Sequence, residues 1–271
     1  MGVCAYCEMD TILTREHVIP SFICDFQKNN GNGVISSWRE KPQKIVGGDA
    51  VVKDVCGSCN NIILSKLDSY AKQFLEKNGV FSINFIENNK TLTYNYTLLS
   101  KWLLKVAYNS ARSSGIKPAE FGAYKKLIIS DDFDFSMFFV SAGLFKPLKL
   151  SKPELDKYGD IFNADANGYA NPFLVRISWC NIESTIYLKQ ISIGAFVFHI
   201  VIFNKLLPPT VKRRVIKNYL KKYTGMSILE KNKSQREIKQ LPITFIDSMS
   251  HHMKRPEVRV HLDKLLKKYE L

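Results

Sequence analysis

Cys4-Ala5-Tyr6-Cys7 opens the chain, and Cys56-Gly57-Ser58-Cys59-Asn60-Asn61 repeats its spacing further on. Two Cys-x-x-Cys pairs can wrap one tetrahedral Zn²⁺, because each turn aims two thiolates at a common point. A single pair could be a redox site, but a duplicated pair in a chain with no visible secretory signal favours metal. Forty-eight residues lie between Cys7 and Cys56. A simple zinc ribbon has about 15 to 20 there. Loop-closure entropy grows logarithmically, so the longer loop costs only about 0.9 kcal/mol more. Structural zinc contributes on the order of 10 kcal/mol, which outweighs that cost. The other two cysteines, Cys24 and Cys180, sit among apolar neighbours and read as core thiols.

The segment inside this loop carries the candidate chemistry. Thr14-Arg15-Glu16-His17-Val18-Ile19-Pro20 is a short β-prone run ended by proline. Gly47-Gly48 marks a turn, and Ala50-Val51-Val52 reads as a second strand. After the second cysteine pair a helix begins, with Ile63, Leu67, Tyr70 and Phe74 recurring on one face. Asn60 stands where a helix cap belongs, which is its local reading. Glu16 and His17 form an acid–imidazole pair suited to metal binding or general-base work. Strict strand alternation would send them to opposite faces.

Cys-x-x-Cys, Glu-His-Val-Ile-Pro, Cys-x-x-Cys-Asn-Asn and then a helix, in that order, resemble the zinc-bound subgroup of the HNH endonuclease family over about residues 1–75. The resemblance implies a ββα-metal unit whose ends are clamped by zinc on Cys4, Cys7, Cys56 and Cys59. It makes His17 the general base that activates water against a phosphodiester. Glu16 and Asn60, with Asn61 as the alternate, would be ligands to a catalytic Mg²⁺ or Mn²⁺. The family's middle Asn, which braces the histidine loop, has no counterpart in Gly48–Asp54; Asp49 or Asp54 would stand in. An imidazole suits the base role at neutral pH. Hard oxygen donors suit the divalent ion, and soft thiolates select zinc.

The charge has its own address. The chain carries 39 Lys and Arg against 25 Asp and Glu, a net of +14. Residues 1–80 are net zero, 81–200 net +3 and 201–271 net +11. A concentrated positive field usually faces phosphate. A helix expected over Thr210–Tyr223 would turn Val215, Tyr219 and Leu220 inward and Lys212, Arg213, Lys217 and Lys221 outward, making those four cations the candidate nucleic-acid contacts. His251, His252 and His261 read as surface residues.

The remaining chain reads coarsely: a hairpin from Phe81–Phe85 and Thr91–Tyr96, helices over Thr97–Ser113 and Pro118–Ile129, and strands within Phe173–Cys180 and Thr185–Phe203. Further helices are expected near Ser234–Lys239 and Glu257–Tyr269. The longest apolar stretch, Ile191–Phe203, is 13 residues. A membrane span needs about 20.

The expected fold class is therefore α+β: an HNH module over residues 1–78, then a mixed α/β domain over 79–271 whose part from 201 on is basic. The expected function is a cytoplasmic, metal-dependent DNA endonuclease of low sequence specificity, with no membrane partner. A homodimer or a regulatory protein partner fits such an enzyme, and an effector of phage defence or restriction is the setting by analogy. Two other classes compete: a non-catalytic zinc-dependent nucleic-acid-binding protein, and a partner-activated ribonuclease acting on RNA.

Overall fold

Proline and glycine punctuate the first 80 residues, and the elements fall between them. The computed structural model describes residues 1–31, 36–39, 44–115, 118–130, 136–183, 186–253 and 260. Strands β1 (Gly2–Val3) and β2 (Asp10–Thr11) pair antiparallel around the first cysteine turn. Strand β3 (Leu13–His17) runs up to Pro20, which ends it and starts helix α1 (Ser21–Asn30). Strands β4 (Ser36–Arg39) and β5 (Lys44–Gly47) form a hairpin. Strand β6 (Val51–Cys56) then lies antiparallel to β3, pairing Leu13 with Cys56 and His17 with Val51, with a bulge between Thr14 and Glu16. A π-helical turn, Cys59–Leu64, leads into helix α2 (Ser65–Lys77). Strand, strand and helix thus follow in the order the sequence suggests. The additions are the β1–β2 pair, the β4–β5 hairpin and α1, whose Phe26 packs against Phe81 and Phe173.

Beyond this unit the order is strand β7 (Asn89–Thr93), helix α3 (Tyr96–Ser114), short helices α4 (Pro118–Gly122) and α5 (Lys125–Ile129), and strand β8 (Phe138–Leu144). Helix α6 (Lys152–Tyr158) and strands β9 (Val175–Glu183), β10 (Ile186–Ile193) and β11 (Phe196–Phe203) come next. Helix α7 (Pro209–Lys222), strands β12 (Ser227–Ile228) and β13 (Gln235–Lys239) and helix α8 (Phe245–Met253) complete the described elements. Five strands form one antiparallel sheet in the order β12-β8-β11-β10-β9. Among the described residues no helix is long and apolar enough to cross a membrane.

The sheet is covered on both faces, which is why Ile191–Phe203 reads as nearly continuous apolar sequence. Phe196, Phe198, Ile200 and Ile202 face a core shared with Trp102 and Leu103 of α3, Leu67 and Phe74 of α2, and Val52 and Val55 of β6. That core joins residues on both sides of position 78. Val197, Val201 and Phe203 face the other way, against Val215 and Tyr219 of α7 and Phe245 of α8. Helix α3 is the centrepiece of the first layer. Asn95 caps its start by accepting from Leu98 N–H at 3.1 Å, and Gly115 ends it at φ +77°, where a side chain would be strained.

Four local expectations are corrected. Phe81–Phe85 forms no strand, and β7 pairs instead with β13, with Thr93 opposite Gln235. Ser234–Lys239 is therefore largely strand rather than helix: the helix propensity of Gln-Arg-Glu-Ile-Lys yields to a partner strand far away in the chain. Pro118–Ile129 breaks into two short helices. In α7, Leu220 is exposed, and Lys212 folds back so that its Nζ donates to the Ser136 carbonyl at 2.7 Å. Apart from Val260, the helix expected over Glu257–Tyr269 lies outside the described residues, as do the side chains of Cys180, His251, His252 and His261. Cys24 is buried as expected, and burial pushes its thiol up to about 11.

Under α7 lies a buried polar chain. The Tyr219 hydroxyl lies 2.8 Å from His199 Nδ1, and His199 Nε2 meets Gln190 Oε1 at 3.1 Å. The Gln190 oxygen requires the proton on Nε2, and in the neutral ring Nδ1 then accepts from the Tyr219 hydroxyl. His199 is 1% exposed, and burial pushes it down from 6.5 to about 3. The folded state therefore binds the proton less readily than the unfolded chain. Stability from this group is present above pH 6.5 and is lost as pH falls toward 3, at up to about 1.4 kcal/mol per pH unit. Denaturant titrations across this window should show a shallower acid loss for His199→Gln than for the parent, although the variant is less stable at pH 7. Equal acid slopes would contradict the assignment.

Candidate active site

The cysteine turns converge because β1, β2 and β6 bring their ends together. The four sulfurs of Cys4, Cys7, Cys56 and Cys59 lie within 4.8 Å of one another, with 3.7 Å between Cys7 Sγ and Cys56 Sγ. Thiolates at about 2.3 Å around a tetrahedral Zn²⁺ stand roughly 3.8 Å apart, so the cluster is compatible with a structural zinc site. Backbone N–H groups point at the sulfurs, Cys56 N to Cys4 Sγ and Cys59 N to Cys56 Sγ, each at 3.3 Å. Burial pushes the Cys4 thiol up, but hydrogen bonds from the backbone of Cys56, Cys7 and Tyr6 outweigh it and bring it down to about 6. Burial and the neighbouring thiols push Cys59 up. Four thiols crowded this closely repel one another as they ionise, a repulsion that a shared cation relieves.

Beside the cluster, β3 and the start of the second helix enclose a cleft of about 250 Å³. Its lining includes Arg15, Glu16, His17, Asn60, Asn61 and Asp68. Asn60 spans the gap between helix and strand. Its Nδ2 donates to the Arg15 carbonyl and to Thr14 Oγ1, both at 2.9 Å, while Thr14 Oγ1 donates to the Val55 carbonyl at 2.8 Å. Asn60 is therefore a brace across the bulge of β3. With Nδ2 fixed this way, Oδ1 is the atom left to act as a ligand.

Glu16 and His17 both reach the cleft lining but differ in exposure, His17 being half-buried. Glu16 is 5% exposed and turns inward, where its Oε1 lies 2.5 Å from Lys105 Nζ. The same ammonium donates to both oxygens of Asp68 at 2.8 Å, and Trp102 Nε1 donates to Asp68 Oδ1 at 3.2 Å. Lys105 is fully buried, whereas the Asp68 side chain keeps 25% exposure at the cleft. The acid at the cleft surface is thus Asp68, one helix stripe along from Asn61 (i, i+7).

Helix α3 supplies the rest of the support. Asn109 donates through Nδ2 to the His17 carbonyl at 3.2 Å and to Glu16 Oε1 at 3.3 Å. Its Oδ1 accepts from Tyr6 O–H at 2.6 Å and from Arg112. Burial pushes the Tyr6 phenol well above its ordinary value and keeps it a donor. Arg112 pairs with Asp54 and lies over the Tyr108 ring, 4.4 Å from its centroid. Asp49, the other acid of the segment before the second cysteine pair, is ion-paired with Lys28 at 3.2 Å.

Sequence reading missed Asp68, Lys105, Asn109 and Arg112. A signal was present: Lys101, Lys105, Asn109 and Arg112 recur at i, i+4, i+8 and i+11 on a helix that is otherwise apolar. Of the four candidate nucleic-acid contacts, Arg213, Lys217 and Lys221 are exposed on α7 with Ile216 and Leu220 between them, and Lys212 is the one folded back. Helix α7 covers the face of the sheet opposite α3 and the cysteine cluster.

No family model, curated protein or solved structure matches the chain.

The cluster makes a direct forecast. Metal analysis of the purified protein should find one zinc per chain, and Cys56→Ser or strong chelation should remove it and lower the thermal midpoint by more than 10 °C, since structural zinc is worth on the order of 10 kcal/mol. A full zinc complement in Cys56→Ser, or none in the parent, contradicts the site.

Proposed function

We propose that the protein is an HNH-type, metal-dependent endonuclease that hydrolyses DNA phosphodiesters with little sequence preference. The observation that carries this reading is the cleft in which His17 on a strand and Asn60 at a helix start are held together beside a tetrathiolate cluster. Its strand–strand–helix order, the histidine on the first strand and the flanking Cys-x-x-Cys pairs match what the resemblance implies, while Asn60 and Glu16 replace the family's usual ligands and its middle Asn has no counterpart.

In this reading the His17 imidazole takes a proton from the attacking water. Exposed Arg15 at the cleft offers a cation to the phosphate. Asn60 Oδ1 and a carboxylate would hold Mg²⁺ or Mn²⁺, an ion that supplies a Lewis acid and stabilises the leaving 3′-oxygen. Glu16 fits that role less well than the sequence suggests, because Lys105 and Asn109 already engage its Oε1. Asp68 offers the more exposed carboxylate. Zinc on the four cysteines fixes the frame and takes no part in the chemistry. The cations of α7 lie across the sheet, so they would hold flanking nucleic acid that bends round the sheet edge, without reading bases.

One observation favours a second reading, a zinc-dependent nucleic-acid-binding protein that does not cleave: the inward, ion-paired position of Glu16 leaves the cleft poorer in metal-binding oxygen. A plasmid-nicking assay with Mg²⁺, Mn²⁺ or chelator separates the two, with a single-stranded RNA of mixed sequence run alongside. The endonuclease reading expects ion-dependent nicking that His17→Ala lowers at least 10³-fold while zinc content and melting temperature persist. Equal nicking by parent and His17→Ala, or salt-sensitive binding with no cleavage, defeats it. Preference for the RNA would reassign the substrate.

A further inference from the structure

The strand that carries His17 is weakly held by its own sheet. Among the described residues it has one partner strand, its ladder is interrupted by the bulge between Thr14 and Glu16, and Pro20 ends it three residues after His17. A general base needs its ring fixed to within a fraction of an ångström. Side-chain amides supply that restraint from both sides. Asn60 holds the Arg15 carbonyl before the histidine. On the far side the His17 carbonyl accepts from Asn109, a residue of α3 that lies 92 positions along the chain.

Asn109 is unusual for a helix interior. It is fully buried, in a position where an apolar residue would pack more cheaply. All four hydrogen-bonding positions of its amide are used: two donors toward His17 and Glu16, and two lone pairs toward Tyr6 and Arg112. Tyr6 lies between Cys4 and Cys7, so a single amide ties the cysteine turn, the histidine strand and α3 together. A side chain needed only for filling the core would not place a donor on one main-chain carbonyl of the candidate base.

We infer that Asn109 is a positioning residue for His17: it fixes the backbone of the candidate base through the His17 carbonyl and registers it against the cysteine cluster through Tyr6. The inference rests on the endonuclease reading for its catalytic meaning, whereas the orientation of His17 can be measured without it.

Two variants test it. Asn109→Ala removes the amide, and Asn109→Asp keeps the shape and the accepting Oδ1 but replaces the donating Nδ2 by a carboxylate oxygen. For both, single-turnover nicking should show kcat lowered roughly 10- to 100-fold with KM within about twofold of the parent. The ring cross-peaks of His17 in a histidine-labelled sample should move or split, those of His199 should stay in place, and zinc content should remain that of the parent. Parental kcat and unmoved His17 cross-peaks in Asn109→Asp would overturn the inference while leaving the endonuclease reading intact. If the parent cleaves nothing, that reading falls instead, and the His17 cross-peaks alone decide whether Asn109 positions the ring. If Asn109→Ala fails to fold, Asn109→Asp carries the decision.

Discussion

One buried ammonium organises the candidate site. Lys105 Nζ has three N–H donors, and the structure gives it three carboxylate oxygens within 2.8 Å, one from Glu16 and two from Asp68. An ion triad of this kind does little for net stability, since desolvation of the charges offsets their attraction. It does specify an arrangement. Glu16 comes from β3, Asp68 from α2 and Lys105 from α3, so these elements cannot shift independently without leaving a charge buried and unpaired. The triad also carries one more negative than positive charge, at the edge of a cleft where His17 and Asn60 meet.

From this constraint the division of labour in the molecule follows. The cysteine cluster fixes the ends of the N-terminal unit, Asn60 fixes its strand against its helix, and α3 fixes both against the five-stranded sheet. A ββα unit of this size has little core of its own. Here its apolar residues, Val52, Val55 and Leu67 among them, continue into the core of α3 and the sheet. The exposed cations of α7, Arg213, Lys217 and Lys221, likewise lie on the opposite face of the sheet from α3 and the cysteine cluster.

What could be read from the sequence was whatever is encoded locally. The duplicated Cys-x-x-Cys spacing pointed to the thiol cluster, Pro20 and Gly48 bounded the strands, and the apolar stripe of Thr97–Ser113 marked α3. The strands from Phe173 to Phe203 were visible in their Val, Ile and Phe content. What escaped depends on partners far apart in the chain. Lys105 and Lys101 look like a solvated face until Glu16, Asp68 and the Ser130 carbonyl are brought to them. Glu16 reads as a metal ligand in the sequence, and only the fold sets it against Lys105. Gln235–Lys239 favours helix until β7 offers a ladder. Each of these is a long-range pairing overriding a local preference.

The claim on which this account rests is that α3 holds the site through the Lys105 ion triad, and a double-mutant cycle measures it most directly. Glu16→Gln, Lys105→Met and the double variant would be compared by equilibrium urea unfolding at pH 7. The account predicts that Lys105→Met alone costs roughly 3–5 kcal/mol, that Glu16→Gln costs far less once Lys105 is gone, and that the coupling is at least about 1.5 kcal/mol. Additivity within about 0.5 kcal/mol would show that the two residues do not act on each other, and would contradict it.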